Sequence, residues 1–156
     1  MRIPALLLTV LCSALTVPAV RAADMADDRD HTELGDHMDK MGRAYRTLGR
    51  EVADPAKNED ALRQVEIIKT NAEAALKLQP AKTADIPADQ RAKFVADYQQ
   101  EMKSLVEELG KLETALKAGH NDEAAAIVKS LKKLQDDGHK QFQKKKQKPT
   151  EKKASS

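Results

Sequence analysis

Tryptophan is absent from this 156-residue chain, and only four other aromatic residues are present: Tyr45, Phe94, Tyr98 and Phe142. So few aromatics exclude a β-sandwich or barrel, whose strands draw on aromatic and β-branched side chains. Six glycines are too few for a loop-rich fold or a glycine-rich phosphate cradle. The His-Glu-x-x-His, Gly-x-Ser-x-Gly and Walker patterns are all missing, so no enzymatic machinery is visible. A single cysteine, Cys12, leaves no intrachain disulfide. What the chain does hold is Ala, Leu, Lys, Glu and Gln, the strong helix formers.

The first 22 residues read as a secretory signal. Met1 and Arg2 form a short positive start, Ile3 to Val20 is nearly all apolar, and Val20-Arg21-Ala22 offers small residues for cleavage. Pro4 and Pro18 interrupt the run, which argues against a transmembrane anchor. Val10 and Leu11 before Cys12 do not suit a lipoprotein signal. Cleavage removes Cys12, so the mature chain has no thiolate nucleophile, no Fe–S ligand and no Cys-x-x-Cys-His haem attachment. The expected location is therefore the periplasm, with no stable membrane insertion after cleavage.

The formal charge of +2 is a sum of unlike parts. Without Arg2 and Arg21 the mature chain is neutral. Residues 144–156 carry Lys144, Lys145, Lys146, Lys148, Lys152 and Lys153 against Glu151, a net +5. With Pro149 and the closing Ala154-Ser155-Ser156, this reads as a solvated tail, the alternative being a contact arm for an acidic partner or anionic lipid. Residues 23–143 carry −5 and form the expected folded domain. Nucleic acid is a weak choice of partner for the basic tail of an exported protein.

Hydrophobic periodicity over that domain predicts four amphipathic helices. The first runs over 32–52, with Leu34, Met38, Met41, Tyr45, Leu48 and Val52 on one face and Asp30 with Glu33 as a capping box. Asp54-Pro55 breaks it. The second runs over 58–79, capped by Asn58, with Leu62, Val65, Ile68, Ala72, Ala75 and Leu76 as its stripe. After the linker 80–87, the third runs over 87–118 on Phe94, Tyr98, Met102, Leu105, Leu109, Leu112 and Leu116. Gly119 suits the turn that ends it. The fourth starts at Asn121, with Ala124, Ile127, Leu131, Leu134 and Phe142 as its stripe. Short connections between such helices predict an all-α fold, an antiparallel up-down-up-down four-helix bundle.

In that topology the start of the first helix and the end of the fourth share one end of the bundle. Met38 lies on the stripe of the first and His139 borders the stripe of the fourth. Periodicity alone also accommodates Met38 as a core methionine and His139 as a solvated boundary residue. Facing each other, a thioether and an imidazole make an axial pair for haem iron.

The chain resembles the cytochrome b562 family over roughly 34–142. The resemblance rests on Leu34-Gly35-Asp36-His37-Met38 and on the stretch from Leu131 to Phe142, Leu-Lys-Lys-Leu-Gln-Asp-Asp-Gly-His-Lys-Gln-Phe. The Gly119 turn also stands at the family's distance before His139. The resemblance implies a periplasmic electron carrier with one b-type haem, Met38 and His139 being the iron's axial ligands and a redox protein its partner. Related c-type bundles carry cysteines where this chain has Gln135 and Gly138, so the implied haem is non-covalent. With both axial positions filled, no site remains open for oxygen or substrate.

Two other functions fit the same helices. One is a haem-free bundle acting as a binding or stress protein. The other is a copper or zinc binder using His31 and His37 among Asp27, Asp28, Asp30 and Asp36, with Met25 as an added soft ligand. His120 falls in the loop before the fourth helix and is expected to be exposed. Gly35, Gly42 and Gly49 recur every seven residues beside the first stripe, a spacing that would admit a cofactor edge or another subunit. Leu, Met and either Tyr98 or Phe142 are the expected walls of a haem pocket.

Overall fold

A computed structural model of the chain describes residues 32–144. Residues 1–31, which include the expected signal and His31, and residues 145–156 lie outside the described residues. Four antiparallel helices make up the fold: α1 (Glu33–Glu51), α2 (Asn58–Ala75), α3 (Arg91–Lys117) and α4 (Asn121–Phe142). Single 3₁₀ turns at Pro55–Lys57 and Ala81–Asp85 lie in the first two connections. The protein is an all-α four-helix bundle.

The helix ends follow local chemistry. Thr32 is the N-cap of α1, its Oγ1 accepting from the Gly35 amide at 3.0 Å. The cap is thus Thr32 and not the expected Asp30, which lies outside the described residues. Asn58 opens α2 without capping it. Its side chain is used across the connections, as described below. Helix α2 stops at Ala75, short of the expected Gln79, because Tyr98 of α3 donates its hydroxyl to the Ala75 carbonyl at 3.0 Å. Pro80 also disfavours a helical residue before it. Helix α3 starts at Arg91, four residues later than expected. The Arg91 guanidinium donates to the carbonyls of Ile86 (2.8 Å) and Ala84 (3.1 Å) and holds the linker in a turn. Gly119 has φ +73°, the left-handed conformation that ends a helix at little cost only for glycine.

The core is built from the expected stripes. Leu48, Val65, Leu109, Leu112, Leu116 and Leu131 are the largest fully buried side chains. Alanines 44, 61, 72, 75, 115 and 124 are buried between them, small residues that let helices approach. Two clusters close the ends. At one end Phe142 meets Phe94 (ring centroids 5.3 Å) and Tyr98 (5.5 Å), both edge-to-face. At the other, Asn121 is 9% exposed and, together with Asn58, links the ends of all four helices. Its Nδ2 donates to Val52 O at 2.8 Å and to Asn58 Oδ1 at 2.7 Å, and Asn58 Nδ2 donates to Leu116 O at 3.3 Å. These amides supply donors to carbonyls at helix ends, where intrahelical partners run out; Leu116 O also accepts from the Gly119 amide at 3.1 Å.

Successive helices pack closely, whereas close backbone approaches between α1 and α4 are few. Tyr45 bridges that seam, donating to the Val128 carbonyl at 2.8 Å. No helix among the described residues is long and apolar enough to cross a membrane.

Candidate functional site

Met38 lies five residues into α1, half-buried, and His139 lies three residues before the end of α4, exposed. The antiparallel arrangement brings both to one cavity of about 80 Å³. Met41, Ile68, Met102, Leu105, Leu109 and Leu131 line it as well, with Tyr45 and Gln135 as the polar contributors. Every helix supplies part of the wall. Two donors of different hardness, a thioether and an imidazole, thus flank a mainly apolar space. That donor set suits iron, and apolar walls suit the faces of a porphyrin.

Tyr45 is the aromatic residue at this cavity. The expected contributors, Tyr98 and Phe142, are turned instead into the ring cluster with Phe94. The reason is hydrogen bonding. Tyr98 uses its hydroxyl on Ala75 O, whereas the Tyr45 hydroxyl must reach α4 and so stretches along the seam. Burial raises the Tyr45 pKa above the usual phenol value, with Lys132 opposing and Asp136 reinforcing the shift. Burial pushes Tyr98 up to about 12.

Sequence periodicity placed Met41 and Met102 in the core, and both are buried. Their second role, as cavity walls, was not legible from periodicity. The one available signal was methionine itself, since three of them at one level offer a soft, adaptable lining. Gln135 was noted only as a non-cysteine, yet it faces the cavity.

The remaining candidates are placed elsewhere. His37 Nδ1 lies 2.8 Å from Asn71 Oδ1, and Asn71 Nδ2 donates to Ile67 O. With the amide so oriented, the imidazole donates through Nδ1 toward α2. His31, Asp27, Asp28, Asp30 and Met25 lie outside the described residues. Among the described residues no group of three or more His, Cys, Asp or Glu side chains is arranged to hold a metal ion. His120 is 65% exposed, with Nδ1 3.5 Å from Glu123 Oε2. A Cβ at Gly42 or Gly49 would meet nothing closer than the Arg46 side chain at 3.7 Å. Close approach within this chain therefore does not explain those glycines.

No curated protein and no solved structure was found to match the chain. The family model described as cytochrome b562 matches residues 33–143, from the first residue of α1 to the residue after α4, and on that match the chain belongs to the cytochrome b562 family.

Proposed function

We propose that the protein is an exported, periplasmic electron carrier that holds one b-type haem non-covalently, with Met38 and His139 as axial ligands. Family membership implies a haem-binding electron carrier. The observation that supports these ligands is their shared cavity: one thioether and one imidazole, from opposite ends of the chain, border the same apolar space. Residues 1–22 supply the export signal in this reading, and residues 144–156 a basic tail outside the bundle.

Haem supplies a one-electron iron couple, and the chain's residues tune it. A thioether opposite an imidazole raises the reduction potential. The walls from Met41, Ile68, Met102, Leu105, Leu109 and Leu131 exclude water from the porphyrin faces. Gln135 and Gly138 stand where c-type relatives attach haem, so affinity rests on ligation and apolar contact alone. The cavity is smaller than a tetrapyrrole. The α1–α4 seam, with fewer close backbone approaches than the successive helix pairs, is where the bundle would part to admit it.

The test is a haemin titration of the purified protein followed by reduction. Sharp visible bands of a six-coordinate low-spin haem are expected. Met38→Ala should convert them to a five-coordinate high-spin spectrum and lower the potential, and Met41→Leu should leave them unchanged. His139→Ala should weaken binding. A bundle that is folded by circular dichroism and yields no such bands would overturn the reading. Identical spectra in both ligand variants would show that other residues hold the iron.

A further inference from the structure

Two stretches of the chain carry cations with no carboxylate among them. Residues 41–50 in α1 hold Arg43, Arg46 and Arg50, and residues 124–135 in α4 hold Lys129, Lys132 and Lys133. Each alone is an ordinary solvated helix face. The fold sets them side by side, because the Tyr45–Val128 hydrogen bond lays the middle of one against the middle of the other. All six side chains are exposed.

The charge is local. Residues 32–144 hold 19 Lys+Arg and 20 Asp+Glu. Outside the band, 13 cations therefore face 20 anions. Asp136 and Asp137 pair with Lys132 and Lys133. Asp39, on the same helix as the arginines, borders the band toward Met38. Among the described residues no carboxylate pairs with Arg43, Arg46, Arg50 or Lys129. These four keep their charge available on the outer faces of α1 and α4, the two helices that supply Met38 and His139, although the Arg50 guanidinium also donates to Thr47 Oγ1 at 3.2 Å.

We propose that this band is a docking surface for an acidic protein, one that presents a cluster of Asp and Glu carboxylates. Three of the six cations are arginines, whose planar fork fits carboxylates in pairs. The surroundings disfavour a membrane. The single exposed large apolar side chain among the described residues is Ile67, on α2, so the band has no apolar neighbour to enter lipid. Charge of one sign steers encounter and fixes orientation, as a brief electron-transfer contact requires. That the partner is a redox protein rests on the haem reading above. The docking surface does not.

The experiment maps binding on the isotope-labelled full chain by NMR, using an oligoglutamate peptide as the probe. Amide shifts are expected in residues 41–50 and 124–135, fading at high salt as screening shortens the reach of the charges. The triple variant R43E/R46E/K129E should weaken binding by about tenfold or more, since opposed charges are replaced by like ones. The control K57E/K77E/K103E changes net charge equally at exposed sites off the band and should leave affinity near wild type. Circular dichroism confirms that both variants fold. Shifts confined to residues 144–156, equal weakening by both triples, or tighter binding to phosphatidylglycerol vesicles than to the peptide would overturn the proposal. Repeating the titration after haemin addition separates the two readings. Band-specific shifts without a haem spectrum would leave the docking surface standing and remove only the electron-transfer role.

Discussion

Tyr98 shows how a single buried hydroxyl couples two helices to pH. Its hydroxyl donates to Ala75 O, and burial lifts its pKa to about 12. A folded-state pKa above the unfolded phenol value near 10 means that folding favours the protonated form. This stability contribution is full below about pH 10 and is lost as pH rises through about 12. Tyr45 shifts in the same direction. Urea unfolding at successive pH values should therefore show a steep loss above about pH 10, and Tyr98→Phe should flatten part of it. At neutral pH the same substitution should cost about 1 kcal/mol, because Ala75 O still accepts from the Leu78 amide. Asn121 is the costlier polar residue. Replacing it by alanine removes the donors to Val52 O and to Asn58 Oδ1, while Asn58 Nδ2 keeps Leu116 O. A loss of about 2 kcal/mol is expected in the same assay, as for a buried group left unsatisfied.

Helix ends carry predictions of opposite sign. Gly119 sits at φ +73°, so Gly119→Ala should destabilise the protein by about 1 kcal/mol through backbone strain alone. Gly138 lies inside α4 with no positive φ, and an added Cβ there meets nothing within 4 Å. Gly138→Ala should raise Tm, gaining up to about 1 kcal/mol of helix propensity. Thermal unfolding of the two variants side by side distinguishes a required glycine from a tolerated one. The helices themselves were legible in the sequence because their apolar periods are regular. Their boundaries were less so. The end of α2 and the start of α3 are set by Tyr98 and Arg91 reaching backbone carbonyls, bonds between residues with no periodic relation.

At the scale of the molecule, the ring cluster of Phe94, Tyr98 and Phe142 closes the bundle end beyond the Met38–His139 cavity. Phe142 is buried in the last helical residue. Phe142→Ala should cost about 3 kcal/mol or more by leaving a cavity there, read as a lower urea midpoint. Two residues later Lys144 pairs with Asp85 at 3.2 Å. A chain ending after Lys144 should keep its full Tm, since the anchoring contacts of α4 are all retained. A drop in Tm on that truncation would place part of the tail in the fold and move the expected domain boundary.

The sequence by itself determined the class of fold, the helix count and the end of the bundle where Met38 and His139 sit. Periodicity and breakers are local properties, and short connections leave one antiparallel order. Only the tertiary structure decided which side chains share a space. It turned Tyr45 rather than Tyr98 or Phe142 to the cavity, brought Met41, Met102 and Gln135 to its wall, and set two cationic stretches from opposite ends of the chain against one another. Those outcomes depend on helix rotation and on hydrogen bonds between residues tens of positions apart. Periodicity fixes which face of a helix is apolar, but not which neighbour that face, or its edge, will meet.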